Sequence, residues 1–324
     1  MLPLLGHGYR GGPIHRKATG MGGTGRWRRW FLAGPVMLAL TLAGCATPRG
    51  IDGDLTNGWP VFAEAKTPVP VAGVCSSRAF DTIWAGPFES LDCTSGPHQT
   101  ETSYVGTFTG VDANRSSPPA AGSPGRRTAY QTCQQRSAQY LGGDVQAALV
   151  YLGLTLPTSL AWTGGARWYR CELLHFSDPD DDTPVTTGSV RNGLTGARPL
   201  AIGCINVTDN GSQYVSDLSD NVDCATAHSA EYAGFYTAPD LPWNSDQAAR
   251  DKAAGAGCET IVAHYLGFTG NALRNPVVGI VYDTFDQKRW ELGDRSIRCY
   301  AYAYTKSKKM IGSVKGIGAK VPKS

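Results

Sequence analysis

Two short stretches of this chain set a histidine three residues before a glutamate, each just after an Asp-Cys. They are Asp92-Cys93-x4-His98-x2-Glu101 and Asp223-Cys224-x3-His228-x2-Glu231. A histidine backed by a carboxylate can act as a general base, but it then needs a nucleophile or a metal. The sequence holds no Gly-x-Ser-x-Gly elbow, no His-Glu-x2-His pair and no phosphate-binding glycine loop. Cys93 and Cys224 each lie close to a histidine, yet there is no Cys-x2-Cys and no His-x3-His spacing of a zinc site. No catalytic residue, metal or cofactor is therefore expected. His98, Glu101, His228 and Glu231 are expected to satisfy backbone groups beside the Asp-Cys corner, with a ligand site as the alternative. The arginines of Arg167/Arg170 and Arg295/Arg298 fall three apart, so on a strand each pair points to opposite faces. One of each pair is expected to meet Glu101 or Glu231 across a sheet, and Arg167 and Arg295 join the candidate ligand-binding set. Trp162 and Trp290 suit packing better than a sugar platform.

The cysteines organise the rest. There are nine, and Cys45 stands apart. The others form two sets: Cys75, Cys93, Cys133, Cys171, then Cys204, Cys224, Cys258, Cys299. Successive gaps are 18, 40, 38 and 20, 34, 41 residues. The neighbours match as well. Cys133-x6-Tyr140-Leu141-Gly142 corresponds to Cys258-x6-Tyr265-Leu266-Gly267. Trp162-x2-Gly165-x-Arg167-x2-Arg170-Cys171 corresponds to Trp290-x2-Gly293-x-Arg295-x2-Arg298-Cys299. This is an internal duplication. Even numbers of cysteines at repeated spacings argue for disulfides. Four cysteines allow three pairings, and we expect first with second and third with fourth in each repeat. The first bridge would clip an opening hairpin and the second would pin a helix to the last strand.

Each repeat reads as a small α+β unit, an antiparallel sheet with one covering helix. Strands are expected at Ala79–Ser90 and Val207–Asp220 (opening hairpins), Tyr104–Phe108 and Tyr232–Tyr236, Ala148–Leu156 and Val277–Tyr282, and Trp168–Phe176 and Ile297–Tyr304. Helices are expected at Thr128–Leu141 and Asp246–Leu266, each stopped by a glycine, with a loop at Ser116–Arg127. Residues 71–177 and 200–305 are the repeats, 178–199 a linker, and 306–324 a solvated, lysine-rich tail.

The N-terminal part has another character. Residues 1–44 hold six basic residues and no acidic one, and lead into an apolar stretch from Phe31 to Ala43. That stretch is shorter than the roughly 20 residues of a spanning helix and reads as a secretory h-region. It ends in Leu42-Ala43-Gly44-Cys45, which looks like a bacterial lipobox. The expectation is a signal peptide over 1–44, Met21 being a plausible start. Cys45 would carry the acyl chains, palmitate among them, and a Pro-rich tether over 45–70 would follow. Arg28-Arg29-Trp30-Phe31-Leu32 resembles a twin-arginine export motif; the export route stays open. The whole chain carries 30 basic and 27 acidic residues. Without the six bases of 1–44 it is about −3, and without the six lysines after Thr305 residues 45–305 are about −9. Such a body lacks the basic surface of a nucleic-acid binder.

The full arrangement is Cys, Asp-Cys-x(3,4)-His-x2-Glu, Cys-x6-Tyr-Leu-Gly and Trp-x2-Gly-x-Arg-x2-Arg-Cys. It resembles the septum-formation family of bacterial envelope proteins, in two tandem copies over about 75–176 and 204–304. Pro97-His98 keeps the family's Pro-His, where the second repeat has Ala227-His228. Gly293-Asp294-Arg295 keeps its Gly-Asp-Arg, where the first has Gly165-Ala166-Arg167. The resemblance implies a role in division-septum or wall formation. The expected protein is a non-enzymatic lipoprotein, anchored on the outer face of the cell membrane, that binds an envelope protein partner. A module binding wall polymer or a small ligand, or an envelope hydrolase using His98/Glu101 or His228/Glu231, are the alternatives.

Overall fold

The computed structural model describes residues 68–77, 90–177, 179, 186–209, 215–283, 286–304 and 309–324. The expected signal peptide, Cys45, nearly all of the tether and the hairpin at Ala79–Ser90, apart from Ser90, lie outside the described residues. Residues 65–324 make one compact unit.

The first half runs β1 (Cys75–Ser76), β2 (Thr100–Thr107), α1 (Gly110–Ala113), α2 (Pro124–Leu141), β3 (Val150–Thr155), α3 (Ser159–Thr163) and β4 (Trp168–His175). The second runs β5 (Cys204–Asp209), β6 (Val215–Val222), β7 (Ala230–Thr237), α4 (Gln247–Tyr265), β8 (Val278–Tyr282), α5 (Gln287–Leu292) and β9 (Ser296–Ala303). Two antiparallel sheets result, in the orders β1-β2-β4-β3 and β6-β5-β7-β9-β8. The α+β class with a covering helix is what the sequence led us to expect.

Alternation along the last strand of each half sorts its side chains. Tyr169, Cys171 and Leu173 of β4 enter the first core with Ala129, Tyr130, Cys133 and Leu141 of α2. Ile297, Cys299, Ala301 and Ala303 of β9 do the same with Ala254, Cys258 and Val262 of α4. With buried Ser137 between Cys133 and Leu141, the positions fall four apart from Ala129 on α2 and from Ala254 on α4, one stripe on each helix. A bridge lies in each stripe: Cys133–Cys171 and Cys258–Cys299 pin helix to strand, while Cys75–Cys93 and Cys204–Cys224 close the opening segments. All four pairings are those expected.

Helix α2 starts four residues ahead of its expected start. Ser123 caps it by accepting from the Arg126 N–H, and Pro124 takes the first turn, where its missing N–H costs nothing. The expected loop at Ser116–Arg127 therefore ends inside a helix. The short helices α3 and α5, which carry the two tryptophans, were not foreseen.

Two further expectations are corrected. Residues 188–199, read as linker, belong to the first core through Val190 and Leu194, as does Leu200, read as the start of the second repeat. Residues 309–324, read as a solvated tail, pack on the second core through Met310 and Val314, both fully buried. Their lysines stay outside while Met310 and Val314 turn in. The two closing segments follow the same path. Asn192 and Leu194 donate N–H groups to the carbonyls of Tyr140 and Leu141; Gly316 and Gly318 donate to those of Tyr265 and Leu266. The glycine after each helix is required twice. Gly142 and Gly267 have φ of +78° and +93°, and a Cβ on Gly142 would meet Thr195 Cγ2 at 2.2 Å.

The halves share a third core of Leu149, Ile202, Ile205, Leu218, Ala230 and Tyr300. Arg298 reaches across it and donates to the carbonyls of Gln146, Ala148 and Val150.

Candidate functional site

The His–Glu pairs lie at the start of β2 and β7. Register places Glu101 opposite Cys75 and Glu231 opposite Cys204, so the carboxylate, the histidine and the opening disulfide of each half come together. In the first half the two sulfurs of Cys75–Cys93, a nitrogen of His98 and an oxygen of Glu101 all lie within 4.8 Å of one another; in the second, Cys204, His228 and Glu231 do.

Both carboxylates are buried, and each is held by three neutral donors. Glu101 Oε1 accepts from the hydroxyls of Tyr140 and Ser189, and Oε2 from the Val190 N–H at 2.7 Å. Glu231 Oε1 accepts from Tyr265 and Ser313, and Oε2 from the Val314 N–H at 2.7 Å. The arrangement is duplicated down to its outer layer. The Arg191 guanidinium covers the Tyr140 ring at 4.4 Å, and the Lys315 ammonium lies 5.9 Å from the centre of the Tyr265 ring. Burial, then the bond to the carboxylate, pushes both phenols above the ordinary tyrosine range.

Among the described residues no arginine meets either glutamate, contrary to expectation. Arg167 lies 4.3 Å over the Trp162 ring and donates to the carbonyls of Ala113, Trp162 and Ala166. Arg295 lies 4.0 Å over Trp290 and donates to the carbonyls of Trp290 and Asp294 and to Asp240 Oδ1. Both precede the last strand, so strand alternation does not govern them. Arg170 forms a buried ion pair with Glu172 at 3.1 Å, and burial raises the Glu172 carboxyl above its usual range. The tryptophans are packing residues, as expected: Trp162 and Trp290 are buried and donate to the carbonyls of Arg115 and Leu241.

The residues that complete the site, Ser189/Val190 and Ser313/Val314, fall in the segments read as linker and tail. A signal was there: Gly188-Ser189-Val190-Arg191 recurs as Gly312-Ser313-Val314-Lys315. Asp294 also gains a reason. It accepts from the Arg289 guanidinium and from the Tyr130 hydroxyl at 3.0 Å in the other half. Ala166, its counterpart, has no such role.

A disulfide-stapled α+β body with this repeated His–Glu–disulfide corner is the class of protein that the fold and site define. The chain belongs to the septum formation family, whose model matches residues 72–299 in one run through both halves. No curated protein and no solved structure matches it.

Proposed function

We propose that the protein is a non-enzymatic lipoprotein of the cell envelope that binds a protein partner in septum or wall formation. The observation behind this reading is that the one pair that looked chemical is buried, its carboxylates already held by donors of the same half. Glu101 and Glu231 spend both oxygens on donors of their own half, and His98 and His228 are buried beside them. A general base must reach the proton it takes, and these groups face inward. The work then falls to the surface. Val111 on α1 and Leu160 on α3 are the most exposed large apolar side chains among the described residues, at 84% and 83%. Leu241 stands out on the matching connection of the second half, at 61%.

Anchoring through Cys45 follows from the lipobox-like Leu42-Ala43-Gly44-Cys45, and two acyl chains are what stable anchoring takes. Among the described residues no helix is long and apolar enough to cross a membrane. Cys45→Ser should abolish labelling by a fatty-acid probe, and continued labelling would remove the anchor from this reading. The binding role is tested by crosslinked capture from intact cells. Val111→Asp with Leu160→Asp should leave the melting temperature unchanged and deplete the captured partner. Turnover of a wall glycan or peptide by the purified exported chain, lost on replacing His98 and His228, would overturn it.

A further inference from the structure

The two histidines are held in a way that packing alone does not require. His98 Nδ1 lies 3.2 Å from the Gly96 carbonyl oxygen, and His228 Nδ1 lies 2.8 Å from that of Thr226. A carbonyl only accepts, so Nδ1 carries the hydrogen and Nε2 is left with its lone pair. Both Nε2 atoms are buried and have no hydrogen-bond partner. An imidazole fixed through one N–H to a backbone carbonyl, its other nitrogen free, is oriented as metal-binding histidines are. The carboxylate beside it is positioned by Tyr140, Ser189 and Val190 in the same outer-shell manner. In the first half the four donors needed for a tetrahedral site, two sulfurs, a nitrogen and an oxygen, are already within 4.8 Å of one another. In the oxidised chain the sulfurs are bonded to each other and neither can ligate.

We propose that the corner of Cys75, Cys93, His98 and Glu101 is a zinc site in the reduced chain, and that bridge and ion exclude one another. A dithiol supplies two electrons and two protons and becomes a disulfide; a phosphine supplies two electrons and becomes a phosphine oxide, water giving the oxygen and the two thiol protons. The Cys75–Cys93 bond breaks and two thiols form. Zinc then displaces both thiol protons to solvent and bonds two thiolates, His98 Nε2 and a Glu101 oxygen. The sulfurs part to roughly 3.5–4 Å, as Zn–S bonds of about 2.3 Å require. The second half brings only Cys204, His228 and Glu231 within the same distance, so the tight site belongs to the first. A small-molecule disulfide, itself reduced to two thiols, takes up the two electrons, re-forms the Cys75–Cys93 bond and releases the ion.

The test titrates the full exported chain with zinc against a chromogenic chelator, before and after reduction by a phosphine, which adds no competing thiol. The expected result is one tightly held zinc per reduced chain and none per oxidised chain. Zinc should raise the melting temperature of the reduced form, because an ion that binds only folded protein stabilises it. His98→Ala should weaken binding at least tenfold and lose the thermal shift; His228→Ala should keep both. Cys75→Ser with Cys93→Ser, which leaves the other three bridges oxidised, should bind none. Binding by thiols of an unfolded chain would persist in His98→Ala and bring no thermal shift. That outcome, or equal binding by oxidised and reduced chains, overturns the proposal.

Discussion

At the scale of single residues, the centre of each half is a buried carboxylate without a cation on its oxygens. Tyr140 and Tyr265 supply the hydroxyl that each glutamate accepts. Hydrogen bonds to a charged acceptor contribute about 1.5–3 kcal/mol each, so Tyr140→Phe and Tyr265→Phe should each lower stability by about that much, read from denaturant midpoints. The pH dependence has a definite sign. Both phenols titrate higher in the fold than in the unfolded chain. Their contribution is therefore complete below the unfolded tyrosine value of about 10 and declines as pH rises above it, because the unfolded state then holds fewer protons. The double Phe variant should show a shallower alkaline loss of stability than the parent; an equal slope would count against the clamp. The His-x2-Glu spacing was legible because both copies carry it. What holds it was not, because Tyr140 and Ser189 lie 39 and 88 residues beyond Glu101, and no local pattern joins them.

At the scale of elements, the two long helices and the last strands declared themselves through composition, a stopping glycine and the cysteines. The closing segments did not. Val190 and Leu194, like Met310 and Val314, are single pairs four apart among glycines and charges, too few to mark an element. Their cores nonetheless depend on them. Burying a large apolar side chain contributes about 1.5–3 kcal/mol, so ending the chain at Thr305 should cost roughly 3–6 kcal/mol through Met310 and Val314 alone. Thermal melting of that truncation should show the loss; an unchanged transition would mean that the segment is dispensable. Gly142→Ala should also destabilise, by at least the 1–2 kcal/mol of a left-handed non-glycine residue, because Thr195 must move aside as well.

At the scale of the whole molecule, the repeats are not beads on a string. Ile202 and Ile205 follow directly on the first closing segment and bury themselves with Leu149 of the first half and Tyr300 of the second. Arg298 fastens to three carbonyls of the first half, whereas its counterpart Arg170 pairs with Glu172 inside its own sheet. The halves thus differ where they touch and agree where each closes upon itself. Residues 65–324 should unfold in one calorimetric transition. Ile205→Ala, expected to cost about 2–5 kcal/mol, should move that transition as a whole. Two separated transitions, only one of them shifted, would show the halves to be independent.

The path of the closing segments sets an order on how the chain matures. Glu101 waits 89 residues for the Val190 amide, and Glu231 waits 83 for that of Val314. During synthesis, each half can form its sheet and place its helix well before its carboxylate is quenched. The corner next to the opening disulfide is therefore the last part of each half to be sealed. For that interval its cysteines stay open to oxidants, isomerases and ions, and emergence of the Gly-Ser-Val stretch acts as a timed latch.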